Sequence, residues 1–266
     1  MDNAAPTLTD TDILFLVETV LPQRSDKERL VGSLRGDAKF LESMLDDPAL
    51  FQRLMADEEL FLRVSPTLFF HALLRQARKD MRTQHYTMEV REGQRLPIFD
   101  SHQVDDLLAD PPLLDYLAQM LASFTRVESF SYSVRVRRGQ WRRHHVSELD
   151  VDSLIGLSQA VEEGQRFGIY RRIGDLCLFL PGIFPEHVAA EETRSRSNLR
   201  YRRGLEDYEF IGRESYRLAA QHQTAHFLRV QGVLSTLAEQ FALIEKPLQF
   251  VSEHYLSLRK HALFGL

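Results

Sequence analysis

The sequence predicts a mainly α-helical protein with a small β-hairpin region near its middle and a helical bundle in its C-terminal part. Three observations support this fold class. Apolar residues recur mostly at helical spacing, glycine and proline number only 13 and 10 in 266 residues, and alternation of apolar and polar residues is confined to short central stretches. With 44% hydrophobic and 27% charged residues, the chain has the composition of a globular protein of one or two domains.

The sequence of residues 1–64 predicts a region of short helices. An amphipathic helix is expected first, and pairs of apolar residues then recur every ten positions. Asp37, Asp47 and Asp57 precede the last three pairs, where N-cap residues would stand. Pro48 is favourable at the first position of a helix and unfavourable inside one, so the region is expected to form several separate helices.

Residues 65–146 predict a helix-and-hairpin region. Ser65 is the expected N-cap of a long helix, and a short strand follows around Met88. Two helices are then expected before a second alternating stretch, which turns back at Gly139. The order helix, strand, helix, helix, hairpin is typical of a winged helix-turn-helix unit, in which the hairpin would be the wing.

Residues 147–266 predict a helical region that is interrupted at 191–204, an exposed arginine-rich linker with almost no apolar residues. Pro181 is expected to end one helix and Pro247 another. Before Pro247, six apolar residues keep an alternating spacing of three and four: Phe227, Val230, Leu234, Leu237, Phe241 and Ile244. This seam predicts the core of a helical bundle, and the segment 227–262 also offers a surface for a protein partner or a homodimer.

Charge is distributed unevenly along the chain, whose net charge is −5. Residues 1–60 contain six basic and 13 acidic residues, whereas residues 126–146 contain six arginines and one glutamate. Closely spaced cations release counterions from phosphates and tryptophan stacks on bases, so the arginine-rich hairpin, residues 134–146, indicates nucleic-acid binding. The candidate contact residues are Arg135, Arg137, Arg138, Trp141, Arg142 and Arg143, with a second cluster at Arg200, Arg202 and Arg203.

Other interpretations of these arginines stay open. A charged hairpin at a sheet edge also blocks pairing between sheets, and an arginine-rich loop is also a solvated linker. The expected second helix of the winged unit carries Asp115 and a single arginine, Arg126, at its end. That composition is unlike a helix that reads the major groove of DNA, so contacts to the phosphate backbone are the form of binding that the sequence favours.

Evidence for catalysis is sparse. His222 and His226 lie four residues apart on an expected helix, a spacing that lets two imidazoles share a metal ion, although ordinary core or surface histidines explain the pair better. The sequence contains neither a glycine-rich nucleotide-binding loop nor the nucleophile elbow of hydrolases, so no cofactor and no catalytic residue are expected. Cys177 lies in an apolar run that predicts a buried, structural thiol, and a single cysteine excludes an internal disulfide.

Three functions are compatible with these patterns. The first is a non-catalytic, nucleic-acid-associated protein, of a regulatory kind, that grips phosphates through the arginine-rich hairpin. The alternative is a protein-interaction or scaffold module, and a second alternative is a metal-dependent helical enzyme. We place nucleic-acid association first because it makes the sharper prediction.

The acidic N-terminus is unlike a signal peptide and no apolar run is long enough to span a bilayer, so a cytoplasmic protein without membrane contact is expected.

Overall fold

The computed structural model of the protein describes residues 6–56, 63–84, 87–91, 94–98, 100–126, 129–137, 140–188 and 203–265. For the strand residues within 88–97 and 129–146 it describes the backbone alone. These residues are mainly helical, which confirms the fold class expected from apolar spacing. They divide into two compact units, Met1–Thr125 and Arg126–Leu266. In the part of the chain that the structure describes, no helix combines the length and the apolar character needed to cross a membrane.

The first unit is a helical assembly that also contains one short antiparallel ladder. Its elements are α1 (Asp10–Val20), α2 (Lys27–Leu34), α3 (Ala38–Leu45), α4 (Pro48–Ala56), α5 (Pro66–Gln84), β1 (Thr87–Arg91), β2 (Gln94–Ile98), α6 (Ser101–Leu108) and α7 (Pro111–Ser123). β1 and β2 pair antiparallel with Thr87 opposite Ile98. The strand expected around Met88 therefore has a partner strand, which the sequence analysis did not predict.

The helix starts of the first unit follow the expected capping residues. Asp37 accepts a hydrogen bond from the backbone N–H of Phe40 (3.0 Å), and Asp47 accepts one from Ala49 (2.8 Å). The hydroxyl of Ser65 accepts from the backbone N–H of Leu68 (3.2 Å) at the start of α5. These caps are confirmed, whereas Asp57 lies outside the described residues. A cap satisfies an N–H group that has no partner within its own helix, which is why short polar residues stand at these positions.

The core of the first unit is built around α5, most of whose residues between Leu68 and Ala77 are buried. Arg75 on this helix is also buried, and its guanidinium forms ion pairs with Glu42 and, at 3.0 Å, with Asp46. A buried charge is stable only when it is paired. The two acidic residues therefore fix α3 and the turn after it against α5.

Asp12 is a fully buried carboxylate that joins the start of α1 to the start of α5. It accepts hydrogen bonds from the backbone N–H (2.9 Å) and hydroxyl (2.7 Å) of Thr9, the N-cap residue of α1. It also accepts from the backbone N–H (2.7 Å) and hydroxyl (2.8 Å) of Ser65. These four donors compensate the carboxylate for the loss of water, so Asp12 holds two helix starts together.

Asp115 fastens the N-terminal segment to α7. Its carboxylate accepts hydrogen bonds from the backbone N–H (3.0 Å) and hydroxyl (3.1 Å) of Thr7 and from Gln119 (2.6 Å). Nε2 of the fully buried His71 lies 2.9 Å away. Burial alone would raise the pKa of Asp115, but the hydrogen bonds from His71 and Thr7 and the charge of His71 outweigh it, so that this pKa lies below its ordinary value.

Replacing Asp115 with asparagine is expected to lower the free energy of unfolding of the first unit by about 1–2 kcal/mol at neutral pH. Because the pKa is lower in the folded than in the unfolded chain, the carboxylate stabilises fully above the ordinary value of 3.8 and loses its effect as pH falls through the folded value. The difference between wild type and variant should thus be constant down to about pH 5 and shrink below about pH 4. Urea unfolding followed by far-UV circular dichroism checks this, and a difference that grew in acid would contradict it.

The second unit combines one antiparallel ladder with a bundle of helices. Its elements are β3 (Ser129–Arg137), β4 (Gln140–Ser147), α8 (Val151–Ala160), α9 (Arg166–Ile183), α10 (Leu205–Gln221), α11 (Gln223–Phe227), α12 (Gln231–Glu239), α13 (Phe241–His254) and α14 (Lys260–Phe264). The predicted C-terminal bundle is confirmed. Its centre is the contact of α9 with α10, where Tyr216 is fully buried and donates a hydrogen bond to Asp175 (2.9 Å).

Two prolines lie inside helices, so the expectation that Pro181 and Pro247 end them is wrong. α9 continues through Pro181 to Ile183, and α13 extends from Phe241 to His254 with Pro247 in its interior. An internal proline removes one backbone hydrogen bond and costs about 3 kcal/mol. Both prolines and the apolar residues that follow them are buried in the bundle core, and this burial outweighs the local cost.

The apolar seam expected over 227–244 is divided among three helices instead of lying on one. α11 ends at Phe227 and α12 at Glu239, and only the last part of the seam belongs to α13. Leu234, Leu237, Phe241 and Ile244 are buried, as a bundle core requires, whereas Phe227 is 85% exposed. The seam is therefore largely internal to the second unit.

The winged-helix interpretation combines α5, α6 and α7 of the first unit with β3 and β4 of the second. The boundary between the compact units follows Thr125 and lies inside the segment 65–146 on which that interpretation was based. The winged-helix arrangement stays a prediction, as does the division of the chain after residues 64 and 146.

Candidate nucleic-acid interface

The arginine-rich hairpin is formed by β3 and β4, whose antiparallel register places its basic positions. Arg135 lies opposite Trp141, Ser133 opposite Arg143 and Val134 opposite Arg142. Directly opposed residues belong to the same face of a ladder, and successive residues alternate between faces. Arg135, Trp141 and Arg143 therefore share one face, while Arg142 belongs to the other.

The two faces of this ladder differ in composition. The face of Arg135 otherwise has polar positions, including Ser131, Ser133 and His145. The opposite face carries most of the apolar positions: Phe130, Tyr132, Val134 and Val146. A ladder with one polar and one apolar face is typical of antiparallel strands that are covered on one side only. The polar face thus unites two arginines and the tryptophan, a grouping that the sequence alone did not assign.

The register is irregular between Arg135 and Arg137, which lies opposite Gln140 near the turn. An irregularity of this kind bends a strand and changes the direction of the residues beyond it. Arg138 lies outside the described residues, so Arg137 is the last arginine of β3 that the structure places.

Ion pairs fix the base of the hairpin to neighbouring helices. Glu148, the residue after β4, accepts a hydrogen bond from Arg172 of α9 (2.8 Å). Asp150 caps α8 by accepting from the backbone N–H of Asp152 (3.2 Å). These acidic residues were not predicted as part of the site, although they cluster in the sequence directly after the basic hairpin. Glu148 thus joins the end of β4 to α9 by pairing with Arg172, and Asp150 starts α8 as its N-cap.

Arg203 is part of this anchoring system. Its guanidinium forms two hydrogen bonds with Asp152 at the start of α8, at 2.9 and 2.5 Å, and its side chain is only 13% exposed. The hydrogen bonds that Arg203 donates to Asp152 raise the pKa of Arg203 above its ordinary value and outweigh the effect of burial. Arg203 was predicted as a phosphate contact, but its guanidinium is occupied by Asp152. Arg200 and Arg202 of the same predicted cluster lie outside the described residues.

The candidate metal pair His222 and His226 does not lie on one helix. His222 stands between α10 and α11 as the N-cap of α11, with Nδ1 accepting from the backbone N–H of Thr224 (3.1 Å). Its Nε2 lies 3.0 Å from the carbonyl oxygen of Glu163. Both ring nitrogens are thus engaged. Within the described ranges, no group of three or more His, Cys, Asp or Glu residues is arranged to hold a metal ion.

Cys177 is fully buried on α9, as the apolar run around it predicts. Burial raises the pKa of its thiol far above the ordinary value, an effect that the charge of Arg203 only partly opposes. The thiolate, which is the reactive form, is therefore disfavoured at neutral pH.

No protein family, curated protein or solved structure matches this chain. Its function is accordingly inferred from its own residues.

Proposed function

We propose that this is a cytoplasmic protein that binds nucleic acid without catalysis, by gripping phosphates through the arginine-rich hairpin. The observation that carries the proposal is the register of β3 and β4, which brings Arg135, Arg143 and Trp141 to one polar face. In the winged-helix interpretation, this hairpin is the wing.

The spacing of these positions fits a phosphate backbone. Arg135 and Arg143 are diagonal neighbours, whose Cα atoms in an antiparallel ladder lie about 7–8 Å apart. Phosphates along one strand of a duplex are spaced by about 3.4 Å of helix axis, so two such arginines reach phosphates one or two nucleotides apart. Trp141 between them provides an aromatic ring for a sugar or an unpaired base.

We also propose Arg200 and Arg202 of the second cluster as phosphate contacts, because closely spaced cations favour binding to a phosphate backbone. Arg203 of the same cluster has a positioning role instead, since its ion pair with Asp152 holds it at the start of α8, three residues after Glu148.

The proposal predicts a large loss of affinity when Arg135, Arg137, Arg138 and Arg143 are all changed to alanine, with Arg142 on the opposite face left unchanged. The salt dependence of binding is the slope of log K against log salt concentration, and each lost phosphate contact reduces the size of this slope by about 0.9. Each lost contact also lowers the affinity for duplex DNA by about eightfold at 0.1 M salt. Loss of four contacts is thus expected to weaken binding about 10³- to 10⁴-fold. Fluorescence anisotropy of labelled duplex and single-stranded DNA and RNA, at several salt concentrations, measures both quantities.

A control variant removes the same charge from elsewhere in the second unit, by changing Arg171, Arg213, Arg217 and Arg259 to alanine. These four residues are not fully buried and lie outside the hairpin. If the hairpin carries the binding, this control retains most of the affinity. Equal losses in both variants would show a diffuse charge effect, and absence of binding by the wild type at low salt would refute the proposal.

A further inference from the structure

Large apolar side chains are exposed at several described positions of the second unit, and two of them are adjacent in the chain. Phe227 is 85% and Leu228 is 48% exposed, and the two are adjacent at the end of α11. His226 and Arg229 on either side of them are also exposed. We name these residues, 226–229, the Phe227 turn. Phenylalanine and arginine are enriched in protein interfaces relative to the rest of the surface.

The backbone of the Phe227 turn is strained. Arg229 has a φ of 57°, in the left-handed region that favours glycine. The left-handed backbone of Arg229 belongs to the hydrogen-bonded turn that ends α11. In this turn the N–H of Val230 donates to the carbonyl of Ala225 (3.0 Å), and the left-handed residue of such a turn is usually glycine. An arginine at this position costs stability, and such costs are concentrated at functional sites.

The Phe227 turn is also held rigidly. At the other end of α11, His222 caps the helix through Nδ1 and reaches the Glu163 carbonyl through Nε2. Ala225 in the middle of α11 is fully buried. A side chain that is presented on a fixed backbone loses little entropy on binding, which is the property of an interface anchor.

We propose that the Phe227 turn docks onto the first unit of a second copy of this chain. The choice of partner rests on charge: the turn offers the cation Arg229, and Met1–Thr125 contains 13 basic and 21 acidic residues, a net charge of −8. A contact between the Phe227 turn of one copy and the first unit of another joins different surfaces of the two copies. Contacts of that kind produce rings or open chains of copies.

Sedimentation velocity of the full chain, from about 1 to 200 µM, tests this proposal. The wild type is expected to sediment progressively faster with concentration, and Phe227→Ser is expected to raise the dissociation constant about 30-fold or more. Leu258→Ser is the matched control, because Leu258 is 97% exposed in the same unit but lies outside the Phe227 turn. This control is expected to associate like the wild type.

Arg229→Gly separates a role in docking from a role in folding. Glycine relieves the left-handed strain, so the melting temperature is expected to rise by about 2–4 °C. Removal of the guanidinium is expected to weaken self-association about tenfold at the same time. A wild type that stays monomeric at the highest concentration, or Phe227→Ser and Leu258→Ser variants that associate alike, would overturn the proposal.

Discussion

Replacing Asp12 with alanine is expected to destabilise the first unit by about 4 kcal/mol. The carboxylate satisfies four donors from Thr9 and Ser65, and all of them lose their acceptor in the variant. Hydrogen bonds to a charged group contribute about 1.5–3 kcal/mol each, but Thr9 is exposed and Ser65 half-buried, so their donors regain bonds to water and the total loss is smaller than the sum of the four. Urea unfolding followed by far-UV circular dichroism measures the change.

Asp10→Ala is the control for this prediction. Asp10 lies in the first turn of the same helix, but it is 63% exposed and pairs with Arg35 on the surface. Exposed ion pairs contribute at most about 1 kcal/mol, so this variant should unfold almost like the wild type. Similar effects of the two substitutions would show that Asp12 acts only through the charge of the first helical turn, and not as a buried link between α1 and α5.

Gly212→Ala is expected to destabilise the second unit by about 3 kcal/mol. A Cβ atom on Gly212 would lie 2.5 Å from the ring of Phe241 and 2.9 Å from Cβ of Cys177. Both distances are shorter than carbon atoms tolerate, so α10 would have to move away from α9 and α13. Overpacking of this kind costs about 1–3 kcal/mol, and the upper end applies because both neighbours are buried.

The single tryptophan, Trp141, belongs to β4 in the second unit, so urea unfolding followed by its fluorescence reports on that unit. Gly156→Ala is the matched control, since no atom lies within 4 Å of a Cβ at this position of α8. There alanine is expected to stabilise by about 0.5–1 kcal/mol, because it restricts the unfolded chain and favours the helix. The two substitutions should thus differ in sign, and a loss of stability in both would contradict the packing argument.

Local signals in the sequence predicted many elements of the fold. Asp37, Asp47 and Ser65 stand at helix starts because a capping interaction involves residues only two or three positions apart. The same reasoning failed at Pro181 and Pro247, where a local preference against helix is opposed by burial. It failed at His222 for a related reason, since the break between α10 and α11 depends on contacts with Glu163, which is distant in sequence.

The candidate interface shows the same division. The sequence located the basic residues and the tryptophan, because charge and composition are properties of the chain itself. Which arginines share a face depends on the register of β3 and β4, where a shift by one residue would exchange the two faces. That Arg203 is occupied by Asp152 likewise depends on a contact across 51 positions of the chain.

The sequence by itself therefore determined the helical class, the helix starts and the uneven charge of this protein, since each of these depends on neighbours along the chain. Only the tertiary structure decided which carboxylates are buried links, which prolines are tolerated and which apolar residues stay exposed. No pattern in the sequence indicates a special role for Asp12, Gly212 or Phe227. Their roles arise from atoms brought within a few ångströms by packing, where burial and close contact outweigh local preference.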